Sequence, residues 1–306
     1  MGPIGQILPT EDCLGEQGRV GDTGVAKDKL LAPRIAVLAT SFNRAEVTLR
    51  GLTAMRTAAA GVEYRVWLVD DGSTDRTGEA VRAGFPEVTV LNGDGSLFWN
   101  GGMRLAWQAA QSYRPDYYLW WNDDLELLPN SVALLLNLQR AEEVLYGPRV
   151  IAVGKVIDPE THFVTYGGYV RVPGLSRLRF ARVSDDGVSC ATMNGNLVLI
   201  PARAVDEIGI LSEHYRHGTG DIDYGLRASQ TGYRILQSAF PVGYTAFNIQ
   251  YHEKISRLTW SNRDFIFRNP KGIPIKEWLY FCRMHGGRMW PINFVGRYLK
   301  IVRYSV

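Results

Sequence analysis

Cysteine is scarce in this sequence of 306 residues. Cys13, Cys190 and Cys282 lie far apart, and no C-x-x-C pair is present. The sequence therefore predicts neither a zinc site nor a disulfide framework, as is usual in a reducing cytoplasm. The N-terminus lacks a basic region followed by an apolar core, so we expect no secretory signal. No apolar run reaches the length of a membrane span, and we expect a cytoplasmic protein.

Acidic residues are rare in one part of the chain only. Residues 251–306 contain eleven Lys/Arg and three Asp/Glu, a formal charge of +8. Because the whole chain carries +3, residues 1–250 carry −5. Aromatic residues accompany the basic ones, and the mixture predicts either a surface for anionic membrane or a solvated helical face whose aromatics pack inward. A nucleic-acid role is the least favoured, because no motif of that kind is present.

The main part of the chain alternates strands and helices. Residues 1–33 are rich in glycine, proline and charge without periodicity, so we expect a flexible leader. Short apolar runs predict buried strands at 35–40, 64–69, 88–91 and 117–121, with helices at about 45–60, 75–83 and 103–112 between them. This alternation predicts an α/β fold with a mostly parallel sheet flanked by helices. Less regular strands near 150–157, 162–172 and 195–200 predict a second, mixed region, with helices at 202–208 and 221–231 and a strand at 233–237.

Three polar clusters follow predicted strands, at residues 40–44, 70–75 and 122–124. Ligands of open α/β sheets bind beyond the carboxyl ends of the strands, so we expect the clusters to share one cleft. Thr74 and Asp75 are better explained as helix-capping residues. Asp70 or Asp71 is expected at the mouth of the cleft, where a carboxylate can accept hydrogen bonds from a base or a ribose. No G-x-G-x-x-G follows the first strand, which argues against a dinucleotide cofactor.

The run Asn122, Asp123 and Asp124 offers hard oxygen ligands on a short turn. Mg²⁺ or Mn²⁺ prefers such ligands and takes its remaining ones from water and phosphate. The alternative is an acidic loop that binds no metal.

A second acidic pair, Asp221 and Asp223, lies in a glycine-containing turn that leads into a predicted helix. Asp223 can pair with Arg227 four residues later on the same helix face. Asp221 is then the candidate general base for an acceptor hydroxyl. The alternative for Asp221 is a helix N-cap.

Together these motifs resemble family 2 glycosyltransferases of the GT-A fold. The resemblance covers roughly residues 34–245, and the glycine-rich segment 95–103 and the stretch 194–201 are also similar to segments of that family. The motifs that carry it are, in chain order, Thr40-x-Phe42-Asn43-Arg44, Asp70-Asp71-Gly72-Ser73-Thr74-Asp75, Asn122-Asp123-Asp124 and Gly220-Asp221-Ile222-Asp223-Tyr224-Gly225-Leu226-Arg227.

The resemblance implies a role for each matching residue. Thr40 and Asp70 or Asp71 hold the nucleotide base, Asp124 binds Mn²⁺ or Mg²⁺ with Asp123 as a second ligand, and Asn122 lies near the ribose. Asp221 is the general base of an inverting, single-displacement transfer. The other residues expected to bind the nucleotide sugar are Phe42, Asn43, Arg44, Gly95, Trp99, Gly101 and Gly102.

The sequence departs from the family pattern in two places. Asn122 stands where the family has a carboxylate, and Gly220 replaces the acidic residue that often precedes the base. Many relatives also use a later histidine as a metal ligand. The candidate here is His252, although a surface histidine is the favoured interpretation.

The resemblance also implies an organisation and partners. We expect a GT-A domain at 34–250, with a nucleotide-binding half (34–125) and an acceptor-binding half (126–250), followed by a helical, basic, aromatic-rich extension at 251–306. The expected donor is a UDP-, dTDP- or GDP-linked sugar, with rhamnose as one candidate. The expected acceptor is a saccharide or a lipid-linked saccharide in cell-surface polysaccharide assembly, used at the inner face of the membrane.

Two other functions stay open. A nucleotidyltransferase is disfavoured, because the loop at 41–44 contains no glycine with which to hold a triphosphate. A non-catalytic nucleotide- or sugar-binding module would account for the departures at Asn122 and Gly220. The first would release pyrophosphate, and the second would bind without turnover.

Overall fold

The computed structural model describes residues 32–183, 189–248, 253–255 and 258–303. The predicted leader, except for its last two residues, lies outside these ranges, as does His252. The strands in the described ranges are β1 Arg34–Ser41, β2 Glu63–Asp70, β3 Thr89–Asn92, β4 Tyr117–Trp121, β5 Glu126–Leu127, β6 Val150–Ile157, β7 Val164–Tyr166, β8 Gly168–Arg171, β9 Phe180–Arg182, β10 Ser189–Cys190, β11 Thr192–Met193, β12 Leu197–Pro201 and β13 Arg234–Tyr244. The helices there are α1 Ala45–Ala58, α2 Thr77–Gly84, α3 Phe98–Ala110, α4 Ser131–Tyr146, α5 Arg203–Ile208, α6 Gly220–Gln230, α7 Arg263–Arg268, α8 Ile275–His285 and α9 Trp290–Arg303, with 3₁₀ turns at Gln111–Tyr113 and Gly287–Met289.

The large sheet has the strand order β10-β13-β6-β12-β4-β1-β2-β3. Six of these strands run in one direction, while β12 and β10 run against them. The predicted mostly parallel sheet flanked by helices is therefore confirmed. Because β12 is antiparallel to β4, with Leu197 opposite Trp121, the start of β12 lies at the same edge as the ends of β1, β2 and β4.

The sheet is apolar on both faces because helices cover both. Residues 35–39 of β1 are completely buried, as expected for a central parallel strand. Consecutive residues of β4 point to opposite faces: Trp121 packs in the cluster under α1 and α4, and Trp120 packs under α3 and α6. Both indoles are fully buried. The strand that ends at Asn122 is thus dry on both sides and holds the turn after it firmly.

Three elements differ from the sequence expectations. α3 begins at Phe98, inside the predicted loop 93–102, because a carboxylate from another strand holds the Phe98 N–H. The predicted strand at 162–172 is split into β7 and β8, and β8 belongs to a separate small sheet with β9 and β11. The patterns predict no element at 131–146, where α4 forms with Val132, Leu135 and Leu136 buried at helical spacing.

The C-terminal helices pack on the part of the fold that contains α6. Phe281 and Trp278 of α8 join a cluster with Tyr215 and Leu226, the latter on α6. The inward packing predicted as one alternative is therefore observed for these two aromatics, whereas Trp260 is 89% exposed. The chain from Ala32 onward forms one compact unit that includes these helices. No helix in the described residues combines the length and the apolar character needed to cross a membrane.

Candidate active site

The turn after β4 places its three polar residues in different environments. The Asn122 side chain accepts a hydrogen bond from Trp99 Nε1 at 2.7 Å and donates one to Asn196 Oδ1. Asp123 is 2% exposed, whereas the side chain of Asp124 is 48% exposed. Of the three residues, Asp124 is therefore the one open to a ligand.

Arg44 connects the two carboxylates of this turn. Its Nη1 lies 3.2 Å from Asp123 Oδ1 and 3.1 Å from Asp124 Oδ2. Thr48 on α1 donates a hydrogen bond to Asp123 at 2.7 Å. Burial raises the pKa of Asp123, and the Arg44 charge and the Thr48 hydroxyl offset only part of that effect. Arg44 thus brings a positive charge to the place where the sequence predicts a cation.

The loop after β2 is stabilised by its own carboxylates. Asp71 is 4% exposed and accepts hydrogen bonds from the N–H groups of Gly95, Leu97 and Phe98 at 3.0, 3.3 and 2.8 Å. Asp70 accepts from the N–H groups of Ser73 and Gly78 at 3.1 and 3.0 Å. Asp71 thereby attaches the glycine-rich segment to β2, and Asp70 attaches the start of α2.

The loop after β1 lies beside the same rim. The Asn43 side chain accepts a hydrogen bond from the Thr74 N–H at 2.7 Å, which ties the β1 and β2 loops together. Phe42 is 45% exposed. A Cβ at Gly102 would lie 2.2 Å from Oγ1 of Thr40, so only glycine lets α3 approach the end of β1 this closely.

Asp221 begins α6 on the acceptor side of the cleft. Its Oδ2 accepts from Gly195 N at 3.0 Å and from Asn194 Nδ2 at 3.2 Å, and its Oδ1 accepts from Ile222 N at 2.8 Å. Burial raises the pKa of Asp221 to about 6, against the lowering effect of these backbone hydrogen bonds. A carboxylate of that pKa is ionised at neutral pH and basic enough to accept a proton during a reaction.

Trp99 joins the two halves of the site. Its indole nitrogen bonds Asn122, and a Cβ at Gly195 would lie only 2.5 Å from Cζ2 of its ring and 3.4 Å from Cβ of Asp221. The motif after β4 and the candidate base therefore flank one indole. The turn after β4 and the start of α6, which are far apart in sequence, thus lie close together in space.

Asp223 faces away from the cleft. Its carboxylate bonds Arg227 Nε at 2.8 Å, His285 Nε2 at 2.8 Å and the Tyr215 hydroxyl at 3.3 Å. The predicted Asp223–Arg227 pair is thus confirmed. Burial alone would raise the pKa of Asp223, but the His285 hydrogen bond and the Arg227 charge leave it below its ordinary value.

Sequence reasoning assigned no role to three residues that shape the site. Asn100 is fully buried, and its side chain donates to the carbonyls of Ser212 and Tyr215 at 2.8 and 2.7 Å. Its only sequence signal is a polar residue inside the glycine-rich segment. His285 and Glu277 reach the α6 region from α8, and Glu277 bonds Arg216 at 3.2 Å. Neither shows a local motif.

His217 lies on the loop before α6, beside Phe98 at 6.3 Å between ring centroids. Burial and the nearby charges of Lys271 and Arg44 lower the pKa of His217 to about 4, so the ring is neutral at pH 7. Within the described part of the chain no group hydrogen-bonds its buried Nδ1. In the sequence this histidine lies shortly before Asp221, but no local pattern indicates a role for it.

The carboxylates fit a metal that is shared with a substrate. No group of three or more His, Cys, Asp or Glu side chains able to hold a metal exists in the described ranges. Mg²⁺ and Mn²⁺ can, however, be held by one or two carboxylates together with substrate phosphates and water. Asp124, exposed beside Asp123, supplies that kind of partial site.

Comparisons with known proteins identify the family of the chain and its fold. The model of the family Glycosyl transferase family 2 matches residues 36–194, more than half of the chain. No curated protein sequence matches.

Two similar solved structures share the fold. A mannosyltransferase, PcManGT from Pyrobaculum calidifontis in complex with GDP-Man and Mn²⁺, has a TM-score of 0.55 at 16% identity over 88% of this chain and 70% of its own. Residues 1–349 of TarS from S. aureus have a TM-score of 0.54 at 14% identity over 88% of this chain and 73% of their own. The sheet order and its flanking helices are those of the GT-A fold. The chain belongs to glycosyltransferase family 2.

Proposed function

We propose that this glycosyltransferase moves a sugar from a nucleoside diphosphate sugar to an acceptor hydroxyl with inversion at the anomeric carbon. One observation carries the proposal: Trp99 contacts both the Asn122 turn and the Gly195 backbone that holds Asp221. A donor at the ends of β1, β2 and β4 would therefore present its sugar beside the candidate base.

The donor side is proposed to consist of the three loops after β1, β2 and β4 and the start of α3. Residues that shape these loops (Asn43, Asp70, Asp71 and Gly102) act through the backbone hydrogen bonds and close approaches they make. We assign Thr40 and Phe42, at the rim, to contacts with the nucleotide. Gly95, Gly101 and Trp99 are assigned to contacts with the diphosphate and the sugar. Arg44 is already placed to contact a diphosphate next to Asp124.

Asp221 is proposed to take the proton of the acceptor hydroxyl as that oxygen attacks the anomeric carbon. The hydrogen bonds from Gly195 and Asn194 orient its Oδ2, while the raised pKa makes it an effective base near neutral pH. The bond to the leaving diphosphate breaks through an oxocarbenium-like transition state. Asp124, with Asp123, would hold Mn²⁺ or Mg²⁺, and the charge of the bound ion would stabilise the departing diphosphate.

The donor and acceptor are proposed by analogy with the family. The similar mannosyltransferase binds GDP-Man and Mn²⁺, which supports a nucleotide-sugar donor and a divalent metal. We propose a UDP- or dTDP-linked sugar, including a rhamnosyl donor, as the other candidates. The proposed acceptor is a saccharide or a lipid-linked saccharide used in cell-surface glycan assembly, with the enzyme in the cytoplasm at the membrane face.

Nucleotide binding gives the direct test of the donor site. Thermal unfolding with UDP, dTDP and GDP, with and without Mn²⁺, should show one diphosphate that raises Tm in a metal-dependent way, because a ligand bound to the native state stabilises it. In Asp124→Ala, calorimetry should show the Mn²⁺ dependence lost. The matched control is Asp116→Ala, which removes a carboxylate away from the strand-end rim, beside the start of β1.

One result would support this assignment, and two would count against it. Equal nucleotide affinity in Asp124→Ala with and without Mn²⁺, beside metal-dependent binding in the parent, would support it. Unchanged metal-dependent affinity in Asp124→Ala would remove Asp124 from the metal. Absence of any nucleotide binding by the parent would overturn the donor site as a whole.

A further inference from the structure

α9 carries apolar side chains on two opposite sides. On its inner side the Tyr298 hydroxyl donates to the Ile273 carbonyl at 3.1 Å, and its ring packs on Phe267 of α7. Ile301, on the same side, is 4% exposed. Packing on the neighbouring C-terminal elements therefore accounts for one side of the helix.

The outer side of α9 is also apolar, and solvent reaches it. Ile292, Val295, Leu299 and Val302 are 64%, 49%, 62% and 45% exposed. Their spacing of three, four and three residues places them in one line along the helix, called the outer stripe below. Exposed apolar side chains are common singly, but a continuous line of them marks a contact surface.

The charge of α9 indicates what this contact surface meets. The helix contains Arg297, Lys300 and Arg303 and no acidic residue. Arg303 lies one helical turn after Leu299 and three residues after Lys300, so the two cations border the outer stripe along one side. Residues 251–306 carry +8, whereas residues 1–250 carry −5. An anionic surface would attract this end of the molecule and repel the rest.

We propose that α9 lies flat on a lipid bilayer that contains anionic headgroups, with the outer stripe among the acyl chains. Lys300 and Arg303 reach the phosphate level beside it, as basic residues do on interfacial helices. A second copy of the chain fits less well, because a two-fold contact through the stripe would bring the cationic borders together. Trp278, Phe281 and Tyr298, three of the aromatics that the sequence offered for this role, pack inward, and the exposed apolar side chains of α9 are aliphatic.

The docking proposal rests on the proposed function in one respect: docking would give the enzyme access to a lipid-linked acceptor. Docking itself needs neither donor nor acceptor. It can therefore be measured separately from catalysis, by co-sedimentation of the full chain with vesicles of phosphatidylcholine alone or with about 30% phosphatidylglycerol.

The test compares two pairs of exposed apolar residues. Ile292→Asp/Leu299→Asp changes the outer stripe. Val144→Asp/Leu145→Asp changes two side chains, 86% and 68% exposed, at the end of α4. Both variants add the same charge at solvent-exposed positions. The parent should bind the anionic vesicles, and its affinity should fall about tenfold in roughly 0.5 M salt, because salt screens exposed charges. The stripe variant should bind at least about tenfold more weakly, and the α4 variant within about twofold of the parent.

A single charge gives a finer readout. Arg303→Gln should weaken binding to anionic vesicles about fivefold, since one basic residue near such a surface contributes about a factor of that size. It should leave the weak binding to phosphatidylcholine unchanged.

Three outcomes would overturn docking by α9. The parent fails to bind anionic vesicles, or the stripe variant binds as tightly as the parent. Alternatively, the parent fails to bind vesicles and dimerises in analytical ultracentrifugation, whereas the stripe variant is monomeric. That result would make the outer stripe a self-association surface. Nucleoside diphosphate release with a water-soluble acceptor separates the two proposals: its persistence without vesicle binding refutes docking alone, and vesicle binding without release refutes the catalytic proposal alone.

Discussion

The first turn of α6 carries two carboxylates whose pKa values are shifted in opposite directions. Asp221 accepts hydrogen bonds from three N–H groups, and burial raises its pKa to about 6. Asp223, two residues later, faces α8 and is paired with Arg227 and His285, which leave its pKa below the ordinary value. The different partners thus shift the two pKa values in opposite directions, which suits Asp221 to the proposed base role and Asp223 to a fixed ion pair.

This difference teaches that α8, a C-terminal helix, supports the turn that carries the proposed base. His285 reaches α6 from 62 residues away, and its Nε2 lies 2.8 Å from Asp223. Glu277 holds Arg216 on the loop that leads into the same turn. By fixing one side of the turn, α8 fixes the direction in which Asp221 points on the other.

The largest expected effect is on the cleft side. Asp221→Asn should lower kcat on the order of 10²–10⁴-fold, because the acceptor hydroxyl loses its base. Nucleotide affinity, measured by calorimetry, should stay within about twofold, since Asp221 makes no proposed donor contact. The ionised Asp221 costs stability at neutral pH, so thermal unfolding should show an unchanged or higher Tm. Retained turnover in this variant would remove Asp221 from the base role.

On the opposite side, the expected effect is on stability. Asp223→Ala leaves Arg227 without its buried carboxylate and should lower the free energy of unfolding by about 3–5 kcal/mol. Urea unfolding followed by circular dichroism measures this change. A loss below about 1 kcal/mol, the size seen for exposed ion pairs, would erase the distinction between the two carboxylates.

Removing the link to α8 should have a smaller effect. His285→Gln should cost about 1.5–3 kcal/mol, the usual contribution of a hydrogen bond to a charged group. His162→Gln, an exposed histidine on the turn after β6, is the matched control and should unfold like the parent. If both variants unfold at the same urea concentration, α8 does not stabilise the turn through His285.

The two pKa shifts predict different pH limits for activity and for stability. A base must be deprotonated, so kcat/KM should fall about tenfold per pH unit below about 6 and stay level above it. The lowered pKa of Asp223 contributes stability that is present above the ordinary Asp value and is lost as the pH falls through the lower, folded value. Circular dichroism at pH 5 should therefore show a folded protein whose activity is already reduced. Coincident loss of fold and activity would contradict the separation.

Local patterns were enough to predict the sheet and the rim. The apolar runs of β1, β2 and β4 end where the polar clusters begin, and both features are local in sequence. The Asp223–Arg227 pair was predictable for the same reason, because helix geometry alone brings positions four apart together.

Features that depend on tertiary contacts escaped the sequence reasoning. Asp71, on the loop after β2, accepts a hydrogen bond from the Phe98 N–H. Because of this contact, α3 starts earlier than the glycine-rich pattern indicates. His285 and Asn100 meet partners 62 and more than 100 residues away, and no local periodicity encodes those pairings. The outer stripe of α9 had a helical spacing in the sequence, but only packing shows which of its two apolar sides is buried.

The products of the reaction test the central claim most directly. Phosphorus NMR of the enzyme with the nucleotide sugar selected by thermal shift, Mg²⁺ and a saccharide acceptor should show nucleoside diphosphate accumulating, and proton NMR of the same mixture should show a glycoside of inverted configuration. Pyrophosphate as the product would contradict the account and indicate a nucleotidyltransferase. Tight donor binding without any product, over a panel of acceptors, would contradict it as well and indicate a binding module.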